Sequence, residues 1–208
     1  MEYTASLVQL HIDENLEESR RQALARGIPV ADSETLQFLL VTLAMTKPLR
    51  ILEIGSAVGL SGVAMLQACP GATLTTIELD EERFVEAKKN FMTFGVADRV
   101  NALLGDAGEI LSMMDGQYDF VFLDGPKAQY EKYLFDLKRL MKKGATLFAD
   151  DVLLFGWVSG EEETPQKRRS IVEKIRSYLS VITADTDFVT SVINVGDGVA
   201  LSVYQGKK

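Results

Sequence analysis

Residues 50–61 read RILEIGSAVGLS. Arg50–Ile54 is a short, nearly continuous apolar run. It breaks at Gly55, and the chain turns through Gly59 into the helical pattern of Ser61–Ala68. A strand that is apolar on both faces and feeds a helix within a few residues is the opening unit of a parallel sheet covered by helices. The same alternation recurs down the chain. Further strands are expected at Thr73–Ile77, Val100–Leu104, Tyr118–Leu123 and Ala145–Ala149, with helices near Glu81–Phe94, Ala107–Met114, Gln129–Met141 and Pro165–Tyr178. Phe188–Val195 and Val199–Tyr204 flank Gly196-Asp197-Gly198, the pattern of an antiparallel hairpin.

Five parallel strands and a terminal hairpin predict an α/β fold with a Rossmann-like, seven-stranded, mostly parallel sheet and helices on both faces. Two helices precede it. One is expected over residues 3–26, with Leu7, Leu10, Leu16 and Leu24 in its apolar set and Gly27 and Pro29 at its end. The other runs from an N-cap at Ser33 to about Met45. The expectation is a single domain over 1–208, with a helical cap at 1–46 and the core at 47–208.

Composition narrows the function. Among 208 residues there is one histidine, His11, and one cysteine, Cys69. A multi-histidine zinc site and an intramolecular disulfide are therefore impossible, and a Ser-His-Asp triad has only a distant His11 to use. His11 reads as structural or solvent-facing and Cys69 as a small core residue. The net charge of −8 disfavours general affinity for nucleic acid or anionic membrane. No apolar run reaches the roughly 18 residues of a membrane span, and no signal-peptide core is present, so the expected location is cytoplasmic, with no membrane partner.

Ligands of open α/β sheets sit at the carboxyl ends of the strands. The first expected strand ends in Glu53-Ile54-Gly55, and Gly55 and Gly59 allow a close approach of backbone to ligand at the start of a helix. Ala57 stands where the second glycine of a dinucleotide fingerprint belongs, which disfavours a dehydrogenase. The second strand ends in Ile77-Glu78, a position suited to accepting ribose hydroxyls, and the third in Gly105-Asp106-Ala107, where Asp106 suits an adenine amino group. Glu78 and Asp106 read equally as helix N-caps or first-turn charges. Three such features on successive strand ends favour a nucleotide-like ligand.

The fourth and fifth strands end in Asp124-Gly125-Pro126-Lys127 and Asp150-Asp151. Three carboxylates gathered there would repel one another and resist desolvation. A hard divalent cation resolves the conflict, and all-oxygen ligands point to Mg²⁺, Mn²⁺ or Ca²⁺.

These motifs, ILEIGSAVGLSG, TIELDEERFVEAKKN, YDFVFLDGPKAQY, TLFADDVLLFG and VGDGVALSVY, occur in order over nearly the whole chain. Together they resemble the cation-dependent, S-adenosylmethionine-dependent O-methyltransferases, the group of catechol and caffeoyl-CoA O-methyltransferases. The resemblance implies a donor site at Glu53 and Gly55, with Ser61 and backbone near Ala31 holding the methionine carboxylate. It places Glu78 on the ribose, Asp106 and Ala107 at the adenine, and Asp124 beside the donor. It implies that Asp124, Asp150 and Asp151 ligate the metal, that Lys127 is the catalytic base, and that the protein is a homodimer. The family usually has Asn where this chain has Asp151. A third anionic ligand should hold the cation more tightly, blunt its acidity, and raise the pKa of a nearby Lys127.

The expected reaction is methyl transfer from the sulfonium donor to a hydroxyl, with the cation acidifying and orienting that hydroxyl. Two acceptors compete. A catechol-like or hydroxylated aromatic small molecule would chelate the ion through adjacent oxygens, and Leu153, Leu154, Phe155 and Trp157 are candidates for its pocket. The other is tRNA, because Lys167-Arg168-Arg169, the short N-terminus and the loop after Asp151 resemble bacterial tRNA 5-hydroxyuridine methyltransferases. The acidic total charge favours the small molecule. A non-catalytic S-adenosylmethionine-binding protein is the third reading, disfavoured by Asp124, Lys127 and Asp150.

Overall fold

The computed structural model describes residue 3 and residues 6–206, and the chain divides into two compact units, 1–107 and 108–208. In the first unit, α1 (Glu14–Ala25) starts where the Asp13 carboxylate accepts from the N–H groups of Asn15 and Leu16. The expected helix over residues 3–26 is thus interrupted: residues 3 and 6 are helical, residues 8–13 are not, and the helix resumes at Glu14. Asp13 caps a free helix start, and Leu7 and Leu24 are exposed while Leu16 is fully buried. Residues 4 and 5 of that expectation lie outside the described residues. The next helix, α2 (Ser33–Thr46), is capped by Asp32 rather than Ser33, its carboxylate accepting from Thr35 N–H at 2.9 Å.

Three parallel strands follow, β1 (Arg50–Ile54), β2 (Thr73–Glu78) and β3 (Val100–Leu104), with β2 between the other two. Their connections are α3 (Leu60–Ala68) and α4 (Glu81–Thr93). Gly59, at φ +80°, opens α3, and a Cβ there would lie 2.9 Å from the Phe91 ring of α4. Glycine is required at this turn both for its backbone and for the closeness of the two helices.

In the second unit, α5 (Ala107–Met113) begins at the junction. It is followed by β4 (Tyr118–Leu123), α6 (Tyr130–Leu140), β5 (Met141–Ala149), α7 (Arg169–Ala184), β6 (Phe188–Ile193) and β7 (Val199–Tyr204). Strands β4 and β5 are parallel, pairing Leu123 with Ala149. The β6–β7 hairpin is antiparallel and joins β5 through β7, with Ala149 opposite Ala200. Helix α6 buries Tyr130, Tyr133, Leu134, Leu137 and Leu140, and α7 buries Val172, Ile175, Tyr178 and Ile182, the three-and-four spacing of an amphipathic helix. Two boundaries move from expectation. Strand β5 begins at Met141, directly after α6, and α7 runs past Tyr178 to Ala184. Among the described residues no helix is long and apolar enough to cross a membrane.

Candidate active site

At the end of β1 the Glu53 side chain is fully buried and accepts from the Thr76 hydroxyl of β2 at 2.6 Å. The chain then enters the glycine turn, where Gly55, Ala57 and Gly59 all have positive φ. Gly55 and Ser56 N–H groups donate to the Ile77 carbonyl, fastening the turn to β2. Glu78, the last residue of β2, completes that junction. Its carboxylate accepts from Ala57 N–H at 2.8 Å, Leu79 N–H at 3.0 Å and Asp80 N–H at 2.9 Å. Three of its roughly four lone-pair sites are thereby used. The Gly105 N–H donates to the Glu78 carbonyl, which brings the end of β3, and Asp106 after it, to the same edge.

Glu53, Gly55, Glu78 and Asp106 thus lie together at the carboxyl ends of β1, β2 and β3, and Ser61 follows in the first turn of α3. The Ser56 hydroxyl, also in this turn, is buried with no partner among the described residues, and sequence reading gave no sign of it. Ala31 is buried, and its carbonyl accepts from the buried Arg20 guanidinium at 2.8 Å. Arg20 was another residue without a sequence signal, since an arginine on an amphipathic helix reads as a solvated charge.

The second unit holds the acids. Lys127 Nζ lies 2.6 Å from Asp124 Oδ1 and 2.9 Å from Asp151 Oδ2. Asp150 is 2% exposed, and its Oδ1 accepts from the Asp151 N–H at 2.7 Å. Among the described residues it makes no ion pair. Asp151 adopts φ +54°, a left-handed conformation that Asp and Asn tolerate better than most residues. Beneath the cluster, the Tyr130 hydroxyl is shared between the carbonyls of Leu123 at 2.9 Å and Asp150 at 3.2 Å.

Burial pushes the Asp124 carboxyl above the ordinary carboxylate range, against the pull of Lys127, and the facing Asp151 adds to the rise. Asp150 is driven well above that range, by burial first and then by the charges of Asp124 and Asp151. Burial works against the charge on Lys127, but the Tyr130 oxygen and the three carboxylates outweigh it and hold the ammonium well above the ordinary lysine range. The closeness expected of Asp151 and Lys127 is therefore present, and Lys127 in this arrangement carries a proton.

Among the described residues no group of three His, Cys, Asp or Glu side chains is disposed to hold a metal ion. The Lys127 ammonium instead occupies the convergence of Asp124 and Asp151. The donor set still suits a hard cation chemically. One ammonium faces three carboxylates, and the most buried of them, Asp150, makes no ion pair among the described residues.

The loop after Asp151 carries two more non-glycine residues at positive φ, Leu154 and Phe155. It is tied at its start by Val152 N–H to the Gly198 carbonyl and Leu153 N–H to the Asp197 carbonyl, and a Cβ at Gly198 would collide with the Leu153 side chain. Arg176 of α7 donates to the carbonyls of Val158 and Trp157 farther along. The Phe155 and Trp157 rings pack at a tilt of 57° with centroids 5.1 Å apart, and Phe155 is largely exposed. Lys167, Arg168 and Arg169 are exposed at the start of α7.

A model of the O-methyltransferase family matches residues 4–204. A caffeoyl-CoA O-methyltransferase of Populus kitakamiensis is 29% identical over 183 residues, covering 84% of this chain and 77% of the relative. A catechol O-methyltransferase of Niastella koreensis is 28% identical, covering 81% and 79%. A solved Staphylococcus aureus structure, provisionally assigned as a caffeoyl-CoA O-methyltransferase, is 30% identical with a TM-score of 0.88 over 98% of each chain. The O-methyltransferase TomG of Streptomyces achromogenes, solved in complex with S-adenosylmethionine, is 25% identical with a TM-score of 0.83, covering 98% of this chain and 95% of that one. The expected fold, a Rossmann-like seven-stranded mixed sheet, is thereby established.

Proposed function

This chain belongs to the O-methyltransferase family and is an S-adenosylmethionine-dependent enzyme, and we propose that it methylates a hydroxyl of a catechol-like aromatic small molecule with the help of a divalent cation. The observation that carries the reading is the cluster at the ends of β4 and β5. Three carboxylates lie around one ammonium, and among the described residues buried Asp150 makes no ion pair with it or with any other cation. The catechol and caffeoyl-CoA O-methyltransferases among the relatives support the acceptor class.

In this proposal the donor is held by first-unit residues. Glu78, already fixed by three amides, keeps one acceptor site for the ribose. Ser61 and the backbone at Ala31 hold the methionine carboxylate at the open start of α3, where free N–H groups favour an anion. Glu53 and Gly55 shape the turn, and Asp106 and Ala107 flank the adenine. Asp124, Asp150 and Asp151 would hold the cation, Mg²⁺ in the first instance. When bound, such an ion lowers the pKa of a ligating hydroxyl and fixes its direction. Lys127 Nζ is the proton carrier. Held protonated by the carboxylates around it, it becomes a base only once their charge is compensated elsewhere.

The test is transfer of labelled methyl from S-adenosylmethionine to catechols and to tRNA lacking the wobble modification, with EDTA and with Mg²⁺ restored. Labelled catechol that disappears with EDTA is the expected result. Labelled tRNA alone overturns the acceptor class, to which the exposed Lys167-Arg168-Arg169 run would then contribute. Transfer insensitive to EDTA overturns the metal.

A further inference from the structure

Tyr130 lies three residues beyond Lys127, on the first turn of α6, and has no accessible surface. A fully buried phenol needs a hydrogen-bond partner, and this one is aimed at a specific place. The β4–β5 ladder ends at Leu123, whose carbonyl takes the Asp150 N–H at 3.0 Å. Beyond that rung no further backbone bond joins the two strands among the described residues, and the next residues are the acids themselves. The Tyr130 hydroxyl occupies the place of the next rung, and its oxygen also faces the Lys127 ammonium. It donates to the second lone pair of the Leu123 carbonyl and to the Asp150 carbonyl. It thus ties the residue preceding Asp124 to the backbone of Asp150.

The ring does separate work. Residues 127–129 form a short 3₁₀ turn before α6, and in that geometry residues three apart eclipse. Lys127 is thereby stacked above Tyr130, its Nζ 5.6 Å from the ring centroid, within reach of a cation–π contact. The ring is held in turn by the edge of Tyr178 at 5.4 Å. Phenylalanine would fill the same volume, but it would leave the Asp150 carbonyl without this donor.

We propose that Tyr130 is a positioning residue that sets the spacing of Asp124 and Asp150 through its hydroxyl and the seat of the Lys127 ammonium through its ring. The inference rests on the assignment of those acids to a divalent cation in the proposed function.

The experiment compares the wild-type chain with Tyr130→Phe, with 4-aminophenylalanine at position 130, and with Tyr178→Phe. The readouts are Mn²⁺ affinity, S-adenosylmethionine affinity, kcat and thermal midpoint. Tyr178 is an apt control because its hydroxyl is equally buried and has no partner among the described residues. Tyr130→Phe is expected to weaken Mn²⁺ binding and lower kcat by about 10-fold each, the low end of what loss of an outer partner of a metal ligand costs. Donor affinity should stay within about two-fold, since among the described residues the Tyr130 hydroxyl donates only to the carbonyls of Leu123 and Asp150. The 4-aminophenylalanine variant, which restores a donor at the ring's far end, should recover most of both losses. Tyr178→Phe should leave all four readouts near wild type. A Tyr130→Phe variant that loses thermal stability alone, with Mn²⁺ affinity and kcat unchanged, overturns the inference and makes Tyr130 a core residue only. Failure of the amine to rescue what the phenylalanine loses also overturns it. Wild-type protein that binds no Mn²⁺ overturns the metal reading beneath it, an outcome distinguishable from the others because it appears before any substitution.

Discussion

Glu78 and Asp150 are both acids at the carboxyl end of a parallel strand, and both are buried, but they are treated in opposite ways. Glu78 receives three backbone N–H groups, so its charge is balanced by the fold itself. Asp150 receives one N–H, sits near two other carboxylates and has no ion pair among the described residues. A carboxylate satisfied by fixed amides is a finished recognition element. A carboxylate left short of positive charge is an incomplete one, whose stability depends on what arrives.

The largest effects should separate the two regions by readout. Lys127→Ala is expected to lower turnover about 100- to 10,000-fold, the usual range for a positioned proton-transfer group, while S-adenosylmethionine affinity changes by less than about two-fold. Glu78→Ala should do the reverse, weakening the donor about 10- to 100-fold through loss of charge-assisted bonds and leaving Mn²⁺ affinity unmoved. Donor affinity by calorimetry and single-turnover rates check both. If both variants lose both properties equally, the contrast between the regions is wrong.

A mid-sized effect should appear in stability. The folded-state pKa of Asp150 is raised, so in the metal-free protein the native state keeps this proton when the unfolded chain has lost it. The unfolded state then binds fewer protons, and stability falls as pH rises from about 4 toward neutrality. Asp124 adds to this slope with the same sign, from burial before Lys127 is counted. Asp150→Asn removes one contributor. Its thermal midpoint should match wild type near pH 4 and exceed it by several degrees at pH 7, since each kcal/mol moves the midpoint by about 2–4 °C at this chain length. A parallel pair of curves contradicts the undersupplied state of Asp150.

The two regions also differed in how far they could be read. The strand ends and their acids were legible because short apolar runs stopped abruptly at Glu78, Asp106, Asp124 and Asp150. What stops each charge from being costly was not legible. Three amides on Glu78 and a tyrosine under Asp150 are products of the turn geometry after each strand, and neither leaves a spacing in the sequence. Boundaries failed for a related reason. Asp13 and Asp32 cap helices one to several residues away from where the apolar pattern alone would start or continue them. Helix α6 passes into β5 without a turn residue between Leu140 and Met141, so Lys142, Lys143 and Gly144 concealed the strand's true start. Helix α7 continues to Ala184 because Ile182 extends the buried spacing of Ile175 and Tyr178.

The smallest expected effect bears on Asp151, the more exposed acid of the Asp150-Asp151 pair. Its backbone at φ +54° suits asparagine as well as aspartate, so Asp151→Asn should leave the loop in place. What changes is one negative charge, 2.9 Å from Lys127 Nζ on a side chain about one-third exposed. Solvent screening at that exposure keeps the charge's contribution small. Mn²⁺ affinity is expected to fall about 3- to 10-fold, because a neutral oxygen replaces an anionic ligand on a hard cation. Turnover at saturating Mg²⁺ should hold or rise by up to about three-fold, because Lys127 loses one of the carboxylates that keep its proton on. The opposing directions are the informative part. Removing an acid from a site built like that of Glu78 would cost affinity and gain nothing. Removing one from an undersupplied cluster gives up cation affinity and frees the base. Titration with Mn²⁺ and rates at saturating Mg²⁺ separate these cases, and a variant whose affinity and rate fall together would place Asp151 with the finished acids.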